Sequence, residues 1–581
     1  MDAVTSPHDR ARIVRVNGPL VEVVDLDGVA VSELVEVGPH RLPAEVVGIS
    51  GSRSTLQAYE YTGGLAPGAG AWARGYPLSA PLGPWLLGGV FDGLLRPLKG
   101  APIWLAGGGP GGVGASTDGA WSWQPSVKAG DAVAAGSLLG VIATGGALDY
   151  RVLAPVAANG CVEFVSAAGS HRADDELVRI GGVSVTMTER WPVRQPRPCS
   201  ERRDIDRPLV TGQRVLDMLY PVGRGGTAAV PGGFGTGKTL LLQQVAKWCD
   251  ADVIVYIGCG ERGNEMADVL DEFADLTDPR TGGRLADRTV IIANTSNMPM
   301  MAREASIYSG VTVAEHFRDM GYHAVVIADS TSRWAEALRE FASRSGVMPA
   351  EEGYPASLAS SLAAFYERAG PVTTLGGLAG SVTVIGAVSP PGGDLTEPVS
   401  ALTQRFVRAV WSLDHDLAYA RHYPAVNWSG SFSRDAHTIA SWHEREGDVG
   451  WEIRRALLSS ILADSDRLTA FAELVGASSL PDKERVQLLA GRLVREGVLQ
   501  QSSLISNDAF CTPAKATALA DATLDVISTC LELVDDGRPA ADIETFDFST
   551  LLRAASDVPP DDIAEIRRRH ADIVARLRGP Q

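Results

Sequence analysis

The stretch Gly232–Thr239 is the feature that most constrains how this chain can fold. It reads GGFGTGKT and matches the pattern G-x-x-x-x-G-K-[ST], in which backbone N–H groups surround a phosphate. The apolar run 226–230 before it predicts a short strand, and Leu240–Trp248 after it has the spacing of an amphipathic helix. A strand, a glycine-rich turn and a helix N-terminus in this order favour the binding of a nucleoside phosphate.

The residue types in this stretch suit particular parts of a nucleoside triphosphate. Its glycines allow the backbone to approach the phosphates closely, Lys238 is expected to reach the β- and γ-phosphates, and the Thr239 hydroxyl to bind Mg²⁺. Only six of the 52 basic side chains other than histidine are lysines, and a compact ammonium is what fits between phosphates. The predicted nucleotide-binding set is Gly232, Gly233, Phe234, Gly235, Thr236, Gly237, Lys238 and Thr239.

Length, charge and cysteine content limit the class of protein. At 581 residues the chain is long enough for three or four domains. The net charge of −18 argues against a nucleic-acid partner. No apolar run approaches the ~18 residues of a membrane-spanning helix, and the N-terminal segment MDAVTSPHDRAR lacks the apolar core of a signal peptide. Six cysteines without a C-x-x-C pair indicate reduced thiols, and the chain is expected in the cytosol or on the cytosolic side of a membrane or assembly.

The patterning divides the chain into five segments. Short apolar runs broken by Gly and Pro predict a small β-barrel over residues 1–73, with strands at Arg12–Val16, Val21–Val24, Ser32–Val37, Ala44–Ile49 and Leu56–Tyr61. Residues 74–115 are rich in Gly and Pro. Residues 116–190 return to β character and predict a second small β module.

The second half of the chain changes pattern twice. Over residues 191–440, apolar runs alternate with helical stretches, which predicts an α/β domain with a parallel sheet covered by helices on both faces. Its strands are expected at Val253–Ile257, Val290–Ala293, Ala324–Ala328 and Val382–Ala387. Residues 441–581 predict a helical domain, with helices at Trp451–Leu462, Arg467–Leu474, Asp482–Glu496, Ala514–Asp535 and Pro560–Leu577.

Three polar residues that follow predicted strands are candidates for catalysis. Asp329 ends the strand 324–328, where a carboxylate can hold Mg²⁺ through water. Glu261 follows the strand 253–257 and could accept a proton from an attacking water, while Arg262 could contact phosphate oxygens. The residues alone leave a second interpretation equally open, in which Glu261 and Arg262 brace the helix predicted at Met266–Glu272.

Longer blocks of sequence resemble the catalytic A subunit of rotary V/A-type ATPases. They are GGVFDGLLRPL, GGFGTGKT, VIVYIGCGERGNEMADVL, IIANTSNMPMMAREASIY, ADSTSRWAEALRE, MPAEEGYPASLA, GAVSPPGGDLTEPV and RHYPAVNW. The resemblance runs from about residue 10 past residue 510. It implies an N-terminal β-barrel, a nucleotide-binding domain whose first part is residues 74–115 and whose inserted bulge module is residues 116–190, and a C-terminal helical domain. The parts read from the patterning stand in the same order.

The resemblance also implies roles for individual residues. Lys238, Glu261 and Arg262 would be catalytic, with Glu261 polarising the attacking water. Thr239 and Asp329 would hold Mg²⁺ with ATP or ADP, and Phe234 would lie over the phosphate loop. Tyr423 would form an aromatic wall of the adenine pocket, and Gln501 would also bind nucleotide; without the resemblance, a core position for Tyr423 is equally open.

The chain departs from the family pattern after Gln501. Where the family continues Asn-Ala-Phe, this chain has Ser502-Ser503-Leu504, so Leu504 stands where a second aromatic residue beside the adenine is expected.

The implied function is interconversion of ATP and water with ADP and phosphate, coupled to H⁺ or Na⁺ movement across a membrane. The implied partners are a B subunit that supplies an arginine in an alternating A₃B₃ ring, central and peripheral stalk subunits, and indirectly a membrane ion-translocating sector, which places the chain at the cytoplasmic face of the cell membrane. The alternatives are a non-catalytic nucleotide-binding assembly subunit, a type III or flagellar export ATPase, and a hexameric RNA helicase. The assembly subunit is disfavoured because the chain keeps Lys238, Thr239, Glu261 and Asp329. The insert at 116–190 disfavours the export ATPase, and the negative net charge disfavours the RNA helicase.

Overall fold

A computed structural model describes residues 11–101, 119–146, 148–278 and 280–579, and only the backbone of Val475. The N-terminal residues 1–10, the part of the predicted 74–115 segment beyond residue 101, and the first three residues of the 116–190 module lie outside the described residues. The chain divides into two compact units. The first comprises the residues up to Asp204 with Ala251–Val388 and Thr396–Phe406, and the second comprises Ile205–Asp250, Ser389–Leu395 and the residues from Val407 onward.

The first unit begins with an antiparallel β-barrel. Its strands are β1 (Arg12–Asn17), β2 (Leu20–Val24), β3 (Glu33–Val37), β4 (Leu42–Ser50), β5 (Arg53–Ala58) and β6 (Ala71–Pro77), in the spatial order β1-β2-β5-β4-β3-β6. A bridge between Arg12 and Gly70 joins the first strand to the start of the last and closes the barrel. Apolar residues that alternate along the strands, such as Val21, Val23 and Val35, are fully buried inside it. The predicted β-barrel is confirmed.

A second group of short strands forms the inserted module. After β7 (Ser79–Leu82) and β8 (Val90–Phe91) come β9 (Ala120–Pro125), β10 (Ala132–Val133), β11 (Leu138–Ala143), β12 (Asp149–Leu153), β13 (Gly160–Val165), β14 (Gly169–Arg172), β15 (Val178–Ile180), β16 (Val183–Val185) and β17 (Glu189–Pro192). Two four-stranded sheets result, β10-β13-β15-β16 and β12-β11-β9-β14, and β17 pairs with β7 outside the module. The predicted β-rich module is confirmed.

The remaining strands are β18 (Glu201–Arg202), β19 (Thr227–Pro231), β20 (Val253–Cys259), β21 (Thr289–Asn294), β22 (His323–Asp329), β23 (Gly370–Thr373), β24 (Ala379–Val388), β25 (Ala409–Val410) and β26 (Phe432–Ser433). In the first unit β8, β21, β20, β22 and β24 lie side by side and parallel, as predicted. In the second unit β19 pairs with β25 in parallel and β25 pairs with β26 antiparallel. Strands β20 and β22 are wholly or almost wholly buried apolar runs, as a parallel sheet requires.

The helices are α1 (Arg214–Leu219), α2 (Lys238–Trp248), α3 (Gly263–Asp275), α4 (Met300–Asp319), α5 (Thr331–Ser345), α6 (Leu358–Tyr366), α7 (Pro398–Phe406), α8 (His415–Tyr419), α9 (Ala436–Arg445), α10 (Trp451–Val475), α11 (Asp482–Val494), α12 (Ser506–Ala509), α13 (Pro513–Asp535), α14 (Ala540–Glu544), α15 (Ser549–Leu552), α16 (Ala554–Asp557) and α17 (Ile563–Arg578). In the first unit α4 packs on the parallel strands β20, β22 and β24. In the second unit α10, α11, α13 and α17 pack on one another and form the predicted helical domain.

One helix prediction was wrong. The helices expected at Trp451–Leu462 and Arg467–Leu474 are a single 25-residue helix, α10. The four residues between them, 463–466, contain no Gly or Pro to end a helix. Ser465 is polar and so interrupts the apolar pattern, yet it is fully buried. It is buried because it faces Gly491 of α11, where the two helices approach closely.

Three further observations concern membrane-spanning helices, cysteines and clusters of metal-ligating side chains. Among the described residues, no helix combines the length and apolar character needed to cross a membrane. All six cysteines are described, and all are free thiols: Cys161 is exposed, Cys199 is half-buried, and the other four are buried. The described residues contain no cluster of three or more His, Cys, Asp or Glu side chains placed to hold a metal ion on their own.

Candidate active site

The glycine-rich loop joins β19 to α2, as the sequence predicts. Gly235 and Gly237 have φ values of 80° and 84°, in the left-handed region that glycine adopts without strain. Gly237 precedes the first residue of α2, which is Lys238. The loop therefore directs backbone N–H groups and the positive end of an 11-residue helix toward one point, where an anion is favoured.

Side chains of the loop stabilise its shape. The Lys238 ammonium donates hydrogen bonds to the carbonyl oxygens of Gly232 (2.5 Å) and Gly233 (3.0 Å), which holds the cation against the loop. The Thr236 hydroxyl donates to the Gly233 carbonyl at 2.9 Å. Phe234, at the tip of the loop, is 87% exposed, which is unusual for so large an apolar side chain.

A small groove lies beside the start of α2, within the second unit. It is lined by Gln213, Gly237, Leu240, Leu241, Gln244, Leu413, Tyr423, Pro424, Ala425, Gln501 and Ser503. The Tyr423 ring comes so close to Gly237 that a Cβ there would lie 3.4 Å from it, so the aromatic side chain adjoins the phosphate loop. An apolar groove with an aromatic wall next to a phosphate-binding loop suits a nucleobase.

The second half of the groove differs from the sequence-based expectation. Leu504, expected beside the adenine, is 94% exposed and is absent from the lining, whereas Ser503 takes part in it. Gln501 is buried, and its backbone N–H donates to the Tyr423 carbonyl at 2.8 Å. Its side-chain amide is occupied by bonds to the backbone of Gly212, Arg214 and Asp508, so it contributes to the groove mainly by its position.

The acidic candidates lie at the carboxyl edge of the parallel sheet in the first unit. Strands β20 and β22 are in register, with Gly258 beside Asp329, so the residues following each strand emerge at the same edge. Glu261 follows β20 by two residues, and Arg262 immediately precedes α3. Arg262 is the N-cap residue of α3, and its carbonyl oxygen accepts from the backbone N–H of Met266 at 3.1 Å.

The surroundings of Glu261 disfavour its charged form. Its pKa is raised to about 8, mainly by burial and further by the negative charge of Asp329 and a hydrogen bond with Glu265. The positive charge of Arg333 opposes them. A carboxyl group that titrates near neutral pH at the edge of a parallel sheet is well placed to exchange a proton with water.

Two residues near Asp329 and Glu261 are not among the candidates predicted from the sequence. The Tyr256 hydroxyl, on β20, donates to the Asp329 carboxylate at 3.3 Å. Arg333 lies in the first turn of α5 and forms an ion pair with Glu336 at 3.0 Å. Arg333 could have been found from its place four residues after Asp329 in ADSTSRW, whereas Tyr256 reads as an ordinary core residue of a buried strand.

Strand, glycine-rich loop and helix, together with a parallel sheet that carries carboxylates at its carboxyl edge, define a P-loop nucleoside triphosphatase. A model of the nucleotide-binding domain of the ATP synthase alpha/beta family matches residues 212–433, and models of the β-barrel domain and barrel-sandwich domain of the same subunits match residues 13–71 and 115–194. The C-terminal domain of V- and A-type ATP synthases matches residues 440–541.

Full-length relatives narrow the family further. The chain is 49% identical to the V-type ATP synthase alpha chain of Anaeromyxobacter sp. (strain K), over 97% of this chain and 99% of the relative. It is 44% identical to the V-type ATP synthase alpha chain of Halothermothrix orenii (98% and 97% covered) and 43% identical to the A subunit of the A-type ATP synthase of Staphylothermus marinus (95% and 94%). The chain belongs to the family of V/A-type ATP synthase alpha chains, also called A subunits.

A solved structure supports the fold. The ATPase EscN of the type III secretion system of enteropathogenic E. coli is similar to this chain, with a TM-score of 0.64, over 90% of this chain and 100% of EscN. At 21% identity the likeness shows a shared fold alone. The full-length relatives favour the ATP synthase chain over the export ATPase and over the assembly-only protein.

Proposed function

We propose that this chain is the catalytic subunit of a V/A-type rotary ATPase or ATP synthase, which interconverts ATP and water with ADP and phosphate and couples the reaction to H⁺ or Na⁺ movement across a membrane. The observation that carries the proposal is the position of Glu261, two residues after β20 at the carboxyl edge of the parallel sheet, in a chain that also has the complete phosphate loop. A protein that bound nucleotide only for assembly would not need a carboxyl group able to take a proton from water.

The roles of the chain's own residues follow from their chemistry. The loop glycines and Lys238 bind and orient the phosphates, and Tyr423 packs on the base. Glu261 in its ionised form accepts a proton from the attacking water, and Arg262 contacts phosphate oxygens. These assignments extend the nucleotide-binding set Gly232–Thr239 with Gln501, which fixes one side of the base groove.

The hard oxygen donors of Thr239 and Asp329 suit Mg²⁺ that arrives with the nucleotide. One hydroxyl and one carboxylate are the kind of ligands Mg²⁺ takes from a protein while phosphates and water complete its shell. The Tyr256 hydroxyl that donates to Asp329 would hold this carboxylate in one orientation. When bound, the ion would neutralise phosphate charge.

A chain of this kind is proposed to work in an assembly. Its partners would be a B subunit in an alternating A₃B₃ ring, central and peripheral stalk subunits, and indirectly the membrane ion-translocating sector, at the cytoplasmic face of the cell membrane. An arginine supplied in trans contributes about 10³–10⁵ in rate in related phosphoryl transfers, so the lone chain should turn over slowly. We propose the following domain bounds: the β-barrel at 1–73, the first part of the nucleotide-binding domain at 74–115, the inserted module at 116–190, the rest of the nucleotide-binding domain at 191–440 and the helical domain at 441–581. We propose no nucleic-acid partner.

The test compares the purified chain with a mixture of the chain and the B subunit. The mixture should form a six-membered ring and hydrolyse ATP at a rate that the chain alone does not approach. The variant Lys238→Arg keeps the charge but replaces a compact ammonium by a planar fork, so its mixture should assemble normally and remain inactive. Equal turnover by the lone chain and the ring would contradict the proposal.

A second experiment addresses the transported ion. The complete complex in sealed vesicles should acidify the vesicle interior or accumulate Na⁺ when ATP is added outside. Uptake abolished by a protonophore indicates H⁺, whereas uptake that requires Na⁺ and survives the protonophore indicates Na⁺. Hydrolysis without any ion uptake in tightly sealed vesicles would argue against a coupled machine.

A further inference from the structure

The guanidinium of Arg214 is buried in the second unit and holds two distant parts of the chain together. Arg214 begins α1 and is only 1% exposed. It forms an ion pair with Asp508 at 2.6 Å and donates to the carbonyl oxygen of Val498 at 2.5 Å, and also to that of Gln500. A single side chain thus fixes both the beginning and the end of the segment 498–508.

Gln501 reinforces the same connection from the opposite side. Its side-chain oxygen accepts a hydrogen bond from the backbone N–H of Arg214 at 2.8 Å. Its side-chain nitrogen donates to the carbonyl oxygens of Gly212 (2.8 Å) and Asp508 (2.9 Å). Each partner is a backbone group, so these bonds set the position of the main chain and not only of a side chain.

The segment held in this way supplies part of the base groove. Gln501 and Ser503 line the groove with Tyr423, and the Gln501 N–H bonds to the Tyr423 carbonyl at 2.8 Å. The Asp508 carboxylate that pairs with Arg214 also accepts from the backbone N–H of Ser502 at 2.6 Å. The ion pair is therefore hydrogen-bonded to the backbone of Ser502, and the two neighbours of Ser502, Gln501 and Ser503, both line the groove.

The energetics suggest a role beyond general stability. A buried ion pair repays its desolvation cost poorly, so its net contribution to the stability of a fold is small. The ion pair instead fixes geometry, because the planar guanidinium can donate hydrogen bonds only to acceptors in a fixed arrangement. We propose that Arg214 is a positioning residue that sets the 501–503 side of the base groove against Tyr423 and thereby determines affinity for the base of the nucleotide; this rests on the proposed function.

The proposal predicts that base binding and phosphate binding respond differently to loss of Arg214. In the full-length chain, Arg214→Met combined with Asp508→Asn removes the pair without leaving a buried charge, and the new amide oxygen can still accept from the Ser502 N–H. The affinity of this double variant for Mg-ADP should fall about tenfold, whereas its affinity for magnesium tripolyphosphate, which uses only the phosphate loop, should stay within about twofold. Arg214→Lys keeps the charge but loses the fork, and should show the same difference at smaller size.

Arg454 provides the matched control. It is 7% exposed, pairs with Asp521 at 2.7 Å and with Asp448, and has no bond to the segment 498–508. Arg454→Met should lower the melting temperature while it leaves the ratio of ADP to tripolyphosphate affinity unchanged. Equal losses for both ligands in the Arg214 variants, or no loss for ADP, would overturn the positioning role. A wild-type chain that binds neither ligand would instead count against the proposed function.

Discussion

The Tyr256 hydroxyl donates to the Asp329 carboxylate across 3.3 Å, linking the middle of strand β20 to the end of strand β22. Both residues are buried, with exposures of 1% and 2%. The carboxylate is therefore held by a neighbour from within the sheet, as outer groups commonly orient residues that bind metal ions.

Tyr256→Phe removes only this hydroxyl. We expect the Mg²⁺ concentration for half-maximal ATPase activity of the assembled ring to rise about threefold to tenfold, since the hydrogen bond is long and to a charged group. Tyr322→Phe is the control, because it removes a buried hydroxyl that bonds to the Asp149 carbonyl instead. A similar magnesium dependence in both variants would show that the Tyr256 hydroxyl has no special role.

Glu261 should impose a pH dependence on turnover. Its pKa is raised to about 8, so most Glu261 side chains carry a proton at pH 7 and cannot accept one. As pH rises through 8 the carboxylate form increases, so kcat/KM of the ring should increase from pH 6.5 to 8.5 and then level off.

The variant Glu261→Gln tests the same assignment. The amide keeps the size of the side chain but cannot take a proton, so kcat should fall about 10²–10⁴-fold and the rise near pH 8 should disappear. Nucleotide affinity should change little. Activity above a tenth of wild type, or a pH profile of unchanged shape, would return Glu261 to a structural role.

Tyr423 and Leu504 form a matched pair for the base groove. Tyr423→Leu removes an aromatic ring from the groove lining and should weaken ADP binding about tenfold, whereas Leu504→Ala should leave it within about twofold because Leu504 is 94% exposed. Calorimetric titration of the full chain with Mg-ADP measures both. A loss in Leu504→Ala as large as in Tyr423→Leu would place Leu504 against the base after all.

His443 should make the helical domain sensitive to acid. Burial lowers its pKa to about 4, and its ring stacks on Trp451 with a centroid distance of 4.8 Å. Since the unfolded chain takes up this proton near pH 6.5 and the folded chain only near pH 4, the free energy of unfolding should decline as pH falls across that interval. His443→Phe keeps a stacked ring without the titration, so its melting temperature should fall less between pH 7 and pH 5.

The sequence predicted correctly those parts of the fold and site that depend on residues close together in the chain. The phosphate loop, the helix that starts at Lys238 and the strands ending near Glu261 and Asp329 depend on neighbours in the chain, and each lies where the pattern predicted. Helix α10 was divided wrongly because Ser465 is buried against Gly491, a contact that local periodicity does not contain.

The base groove could not be predicted from the sequence, because it also depends on contacts between residues far apart in the chain. Its walls come from Gln213, Tyr423 and Ser503, and the bonds that align them run from Gly212 and Arg214 to Gln501. No spacing rule connects residues nearly 300 positions apart. Leu504 illustrates the result, since alignment with a family pattern predicted an inward side chain at a position that faces solvent.

Cys161, on strand β13 of the inserted module, offers a chemical handle on that module. Burial raises the pKa of the Cys259 thiol to about 12 and that of Cys530 to about 11, so these thiols stay protonated and react slowly with electrophiles. The exposed Cys161 should therefore take up a maleimide dye first, with Cys199→Ser as a safeguard against slower labelling. A fluorophore at this native position would let single-molecule microscopy follow the module in working enzyme without an engineered attachment point.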